Sequence, residues 1–505
     1  MGLCLVVVLI LVAGLAPGGV LWANQGPELQ EAPTRPVPLA PHPPGTGFVP
    51  PAMDLSHLTG QTLPRGVQPQ ALPDVFDWRD SGKVTPVKDQ GNCGSCYAFS
   101  FLGNFESRLL IDGAGTWDLS ENHAKECNWE EVYGSGSSCS GGNFFMVADL
   151  YSQTGSVLES CNPYVPSDVG CSLTCPYQQS VLDFRLISGN PVPSPAVLKQ
   201  YIYDHGPVAT TVYVDDDPLG FSGSYDGSTT MNYTAPAGET NHGVVIVGWS
   251  NNLPPVPGGS MPADGWIVKN SWGTGWGDGG YFYITYGSGN IGAYSAFVQD
   301  WQLYDSAGDL WYYDEAGWST SYGTGSSTTC SGLAKYIPGS NTNVTHVEFW
   351  TNDVTSDVDV YLYDSFDGTS PSNPLATKLD NSFAEAGYHS VALDSPVLVT
   401  AGNDVIAVVK FTNSAYTYPI AVDRDGPTET GRTYISATGN PGTWVDLSNY
   451  GVDATIRLRT TAGSTPPAPA VTSITPNSAP NTGTVHITSL AGSSFLPGAT
   501  AKLAR

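Results

Sequence analysis

Cys93 and Cys96 stand three residues apart in Gln90-Gly91-Asn92-Cys93-Gly94-Ser95-Cys96-Tyr97, a glycine-rich turn that leads into Ala98, Phe99, Leu102, Phe105, Leu109 and Leu110. The apolar residues recur with helical spacing and predict a helix beginning at or near Cys96. A helix N-terminus carries partial positive charge and unpaired N–H groups, so it stabilises a thiolate and can donate to an oxyanion. Cys96 is thus placed as a nucleophile. A C-x-x-C pair alone would suit redox exchange or half of a zinc site, so its partners decide. His242 heads the apolar run Gly243–Trp249, and Asn270 ends a second run that starts at Gly265, within a cluster of Trp and Gly. A thiol beside an imidazole is the arrangement for acyl transfer through a covalent intermediate. The other seven histidines lack a comparable setting.

These residues must be carried by a large fold. The chain has 505 residues, too many for one core, and predicts two or three domains. Its formal net charge is −27, which excludes nucleic acid and anionic membranes as partners because little basic charge exists to displace counterions. Leu3–Ala16 is a short apolar run placed as a secretory signal, 1–23, so the protein is expected to be secreted and to retain no membrane span. Seven of the nine cysteines lie between Cys93 and Cys175. In an oxidising compartment they can form three disulfides and leave one thiol, predicted to be Cys96.

Residues 24–71 are proline-rich and polar, unable to fold alone, and read as a linker or a propeptide. An inhibitory role would make them an extended strap through the cleft, with Met53–Leu58 as anchor. Residues 72–300 form the first globular unit. From 301 to 461 short alternating apolar runs separated by Gly, Asn, Asp, Ser and Pro predict an antiparallel β-sandwich. Residues 462–470 are a stiff Pro-rich linker, and 471–505 hold only the opening strands of a further β domain. Asn232-Tyr233-Thr234 and Asn343-Val344-Thr345 fit glycosylation acceptors.

The stretch around Cys93-Gly94-Ser95-Cys96-Tyr97, together with His242, Asn270-Ser271-Trp272, Asp74–Arg79 and Ser138–Gly142, resembles the papain-like cysteine peptidases. Cys96 precedes His242 by 146 residues and Asn270 by 174, close to that family's spacing. The resemblance implies an α+β two-lobed peptidase domain, with a helical lobe and a β-barrel-like lobe. An all-β sandwich resembling the lectin-like domain of some prokaryotic members follows, then a truncated immunoglobulin-like segment of the TIG kind.

The resemblance also implies roles. Cys96 and His242 form a thiolate–imidazolium pair before substrate arrives, Asn270 orients the imidazole, and Trp272 shields that bond. The Gln90 amide and the Cys96 N–H hold the oxyanion. Gly141 and Gly142 pair with the backbone of an extended substrate. Asn143, Phe144 and Thr240 lie near the pocket for the second residue before the cut. Cys93 pairs with Cys139, while Cys127 pairs with Cys171 or Cys175 and Cys161 takes the other. No metal or cofactor is expected. The partners expected are protein or peptide substrates, with carbohydrate or cell wall for the β domain or a passive spacer role for it. No histidine falls between His123 and His205, which favours an endopeptidase over the histidine-looped carboxydipeptidases. An adhesin with an idle peptidase scaffold and a Cys-His transamidase are the competing readings.

Overall fold

The computed structural model describes residues 29–35, 43, 45–60, 72–133, 138–172, 174–215, 225–462, 470–475 and 489–493. The expected signal, 1–23, lies outside the described residues.

The chain opens with β1 (Gln30–Glu31) and β2 (Val75–Asp77), then enters the helices α1 (Cys96–Ile111), α2 (Glu121–Glu126), α3 (Trp129–Tyr133) and α4 (Phe144–Gln153). After β3 (Gln179–Leu186) come α5 (Pro195–His205), β4 (Val208–Val212), β5 (His242–Leu253), β6 (Ala263–Lys269), β7 (Tyr281–Thr285) and β8 (Ala293–Leu303). The first nine residues of β5 are all buried because both of its faces are covered. Val245 meets Gly103 of α1 on one face, and Ile246 and Trp249 share a core with Leu198 and Ile202 of α5 on the other. A strand buried on both faces reads as a continuous apolar run, which is how Gly243–Trp249 appears in the sequence.

The second half is all β. It contains β9 (Asp309–Trp311), β10 (Thr320–Gly323), β11 (Thr329–Tyr336), β12 (Thr342–Thr351), β13 (Ser356–Phe366), β14 (Pro371–Phe383), β15 (Ala386–Val399) and β16 (Val405–Thr412). These are followed by β17 (Ile420–Asp423), β18 (Thr433–Ser436), β19 (Val445–Asp446), β20 (Asp453–Ala454) and β21 (Ile456–Ala462). On β13 alternate residues Val358, Val360 and Leu362 point inward, and they share a core with Phe349 of β12 and Leu458 of β21. That alternation is the packing of a sandwich. Within the terminal segment only β22 (Ala470–Thr475) and β23 (Ser489–Ser493) are described, as an antiparallel pair.

The two halves share one sheet. Its order is β7-β6-β5-β4-β8-β3-β15-β12-β21-β9, with β2 added on β5, and the crossing point is the antiparallel pair β3–β15, where Phe184 meets Tyr388. Phe101, Phe145 and Phe184 of the first half pack in one cluster with Trp318, Trp350 and Tyr388 of the second. A buried guanidinium, Arg457, joins Asp149 of α4 to Asp314, and bonds Ser152 Oγ at 2.9 Å. The boundary at 300 drawn from the change of sequence texture is therefore crossed by a continuous sheet and a continuous core.

Candidate active site

Cys96 is the first residue of α1 and is fully buried. The Gly243 N–H donates to its sulfur at 3.2 Å. Glycine is required at 243, since a Cβ there would lie 2.7 Å from Ser100 Oγ and 3.1 Å from the Cys96 carbonyl. The close approach sets His242, the neighbouring residue at the head of β5, beside the helix end.

Asn270 directly follows β6 and fixes the imidazole. Its Oδ1 accepts from the Ser271 N–H at 2.8 Å and lies 2.8 Å from His242 Nε2. An oxygen already committed as acceptor requires Nε2 to carry the proton, so Nδ1 is the basic nitrogen of the neutral ring. The Trp272 ring lies 5.0 Å from the imidazole and covers this pair. Gln90 is fully buried: its Nε2 donates to the Cys93 carbonyl at 2.8 Å and its Oε1 accepts from Ser271 Oγ at 2.5 Å. Its amide carries a second hydrogen that these bonds do not use. The structure thus brings Gln90, Cys96, His242, Asn270 and Trp272 to one place.

The cleft beside them is filled by the chain itself. Residues 45–49 run through it, with Trp272 Nε1 donating to the Gly45 carbonyl at 2.7 Å and the Asn241 carbonyl accepting from Gly47 and Phe48 at 3.0 and 2.9 Å. Val49 N–H donates to Gly142 and the Gly142 N–H donates to Gly47, both at 2.9 Å, so Phe48 pairs with Gly142 in parallel. Gly47 passes over Gly94 so closely that a Cβ would meet the Gly94 carbonyl oxygen at 2.1 Å. Asn143 caps α4 and donates to the Val49 carbonyl at 3.3 Å. The Phe48 ring packs on Phe144 and Tyr294, with centroids 5.2 and 5.3 Å away. Thr240, two residues before His242, is buried and makes no hydrogen bond through its hydroxyl.

Beyond the cleft this strap is held at both ends. Met53, Leu55 and Leu58 are buried, and Gly189 donates to the Leu58 carbonyl at 2.8 Å. His57 stacks on Tyr416 at 4.0 Å, while β1 pairs with β10, so the second half of the chain grips the strap on either side of the cleft.

Burial sets the electrostatics. It pushes the Cys96 thiol up to about 12, against backbone N–H groups of Gly243, Tyr97 and Phe48 that act the other way. It pushes His242 down to about 4, partly opposed by Asn270. With the strap in place, burial therefore acts against the charged form of both groups.

Three disulfides close the helical half: Cys93–Cys139, Cys127–Cys171 and Cys161–Cys175. Cys96 and Cys330 are free thiols. Sequence reasoning missed Asn241, which acts through its backbone carbonyl, and Tyr294, which sits at φ +49° and accepts a hydrogen bond from Arg35 at 2.6 Å. Neither role leaves a residue-type signature.

The family description "Papain family cysteine protease" matches residues 72–299, and "Lectin like domain" matches 310–460. The chain is 33% identical over 241 residues to a cathepsin L-like proteinase of Fasciola hepatica, covering 47% of this chain and 67% of that protein. It is 37% identical over 217 residues to cysteine proteinase 1 of Entamoeba histolytica, covering 41% of this chain and 62% of that protein. The chain thus spans less than two thirds of the amoebal relative. In fold it is similar to the cysteine protease and lectin-like domains of Cwp84, a surface layer associated protein of Clostridium difficile. The TM-score is 0.65 at 22% identity, over 78% of this chain and 90% of that one.

Proposed function

The chain belongs to the papain family of cysteine proteases, and from that premise we propose that it is a secreted cysteine endopeptidase held latent by residues within 24–71. The observation that carries the reading is the convergence of Gln90, Cys96, His242 and Asn270, with Asn270 Oδ1 committed as an acceptor.

Once the strap leaves, the Cys96 S–H proton passes to His242 Nδ1 and the sulfur attacks a substrate carbonyl carbon. The C=O π electrons move to oxygen, where the Gln90 amide and the Cys96 N–H hold the resulting anion. His242 then gives its proton to the leaving nitrogen as the C–N bond breaks, leaving a thioester. Water, deprotonated by His242, hydrolyses the thioester and restores the thiol.

The same roles account for latency. Because the leaving amine must face His242, a substrate runs from Gly142 towards Trp272. The strap runs from Trp272 towards Gly142, and its Phe48 N–H, bonded to the Asn241 carbonyl, also acts on the sulfur. Its reversed polarity explains how a peptide can fill the cleft without being cut.

Labelling with a thiol-directed epoxysuccinyl inhibitor, after cleavage between residues 60 and 72, tests the reading. One adduct is expected on the wild type and none on Cys96→Ala. Adduct on the variant, or no hydrolysis of unfolded protein by the cleaved wild type, removes it.

For residues 310–460 the match to a lectin-like domain supports carbohydrate or cell-wall binding. A glycan array probed with full-length Cys96→Ala tests this, and a blank array assigns the domain to a structural role. Secretion is supported by the apolar run Leu3–Ala16.

A further inference from the structure

Beyond Gly141–Asn143 the cleft opens into a second space of about 1140 Å³, counting its open mouth, that is walled by both halves of the chain. Trp129, Glu130 and Glu131 of α3 line it from the peptidase half, and Trp318 and Asp425 line it from the lectin-like half. Val49–Met53 of the strap pass along it. Neither His242 nor Trp272 lines it, so it lies on the side of the cut away from the leaving amine.

Its chemistry is one-signed. Among the described residues lining it there is no Lys, Arg or His, whereas Glu130, Glu131, Asp149 and Asp425 all contribute carboxyl groups. Asp149 is bound to Arg457, which leaves the other three. Lys125, whose charge is felt at Glu131, is tied to Glu126. Burial, and after it the charge of Asp425 across the domain junction, pushes Glu130 up, as expected where carboxyl groups share a partly enclosed space. Trp129, half-buried, adds an aromatic ring that attracts a cation.

We propose that this space is a substrate subsite, built jointly by the peptidase and lectin-like domains, that selects an extended peptide with a Lys or Arg about three to five residues before the cut. The inference rests on the peptidase reading and deepens it. The strap supplies the precedent for the occupant: it is an extended peptide that pairs with Gly142 at Phe48 and continues along this space for the next several residues. A substrate of opposite polarity that pairs with Gly142 reaches the same wall with the residues further from its cut, at about 3.3 Å per residue. A long basic side chain there places its stem against Trp129 and its charge among the carboxyl groups.

The test uses the full chain with its strap cleaved and two decapeptides identical except for Lys or Glu at the third to fifth residues before the cut. In the wild type, kcat/KM for the Lys peptide is expected to exceed that for the Glu peptide by about tenfold or more, the scale of one charge pair in a partly screened site. The preference falls as salt rises. In Asp425→Lys and in Glu130→Lys, both exposed positions, one from each half, the Lys-to-Glu ratio falls about tenfold. A wild-type ratio near one, or a ratio unmoved by both variants, overturns the subsite. A dipeptidyl substrate too short to reach the second space separates the two readings. Its cleavage by wild type alongside a ratio of one removes the subsite and leaves the peptidase. No cleavage of any substrate removes both.

Discussion

The proposed latency rests on a contact that one methyl group can break. In Gly47→Ala the new Cβ would stand 2.1 Å from the Gly94 carbonyl oxygen and 2.3 Å from its carbon, both backbone atoms of the turn before Cys96. Neither side can yield locally: the Gly94 N–H is bonded to Cys139 at 3.0 Å, and Gly47 exchanges hydrogen bonds with Asn241 and Gly142. Overfilling a packed site costs roughly 1–3 kcal/mol, and here the cost falls on the docked strap alone, since the freed strap has no such neighbour. The open population of the uncleaved chain should therefore rise about fivefold to 150-fold. The assay is the rate of epoxysuccinyl adduct formation on uncleaved protein at neutral pH, followed by intact mass. Gly47→Ala should label faster than wild type by that factor, and Gly47→Ala with Cys96→Ala should not label at all. Equal rates would mean that residues 45–49 do not control access to the thiol.

Acid should loosen the strap as well. Burial in the strap-filled cleft favours the neutral ring of His242, pushing it down to about 4 from its ordinary 6.5, so the share of this burial that the strap supplies is complete above pH 6.5 and is lost as pH falls towards 4. At pH 5 the loss is at most about 2 kcal/mol, roughly 30-fold in the open population. Amide exchange at Gly47, Phe48 and Val49, corrected for intrinsic rates, reads it, and equal protection at pH 7 and pH 5 counts against the linkage. In the cleaved enzyme, Gln90→Ala should lower kcat by about 10²–10³ with little change in KM, as expected when a donor that acts on the transition state is removed. A loss confined to KM would assign Gln90 to substrate binding. Arg457→Ala leaves Asp149 and Asp314 buried without their cation and should destabilise the protein by about 3–5 kcal/mol in urea titration. A shift under about 1 kcal/mol would show that water reaches those carboxyls.

Much of the site is legible because its chemistry demands particular residue types at particular places. A thiol at a helix start, an imidazole at a strand head and an amide at a strand end are all written in one-dimensional pattern, and so is the alternation that builds the β13 face of the sandwich. What escapes is carried by backbone and by distance. The Asn241 carbonyl grips the strap, yet any residue has a carbonyl. The direction of the strap against Gly142 is a matter of hydrogen-bond polarity, which side-chain order does not encode. The β3–β15 pair joins Phe184 to Tyr388 through three residue pairs, too few to impose a pattern on strands two hundred positions apart. The ionised cysteine–histidine pair is what the family resemblance implies, and a helix N-terminus at Cys96 favours it. Burial in the strap-filled cleft acts against both charges while the strap is docked.

A binding module on a flexible tether gathers its enzyme near a target but lets the enzyme face any way. Here the sheet that passes from β8 through β3 to β15 and β12 permits no such swivel, and the wall bearing Trp318 and Asp425 is fixed against α3. Whatever the C-terminal module grasps, the catalytic groove then meets it at one angle and one height. Selection among bonds on an immobile target would follow from geometry of attachment as much as from the residues flanking the cut.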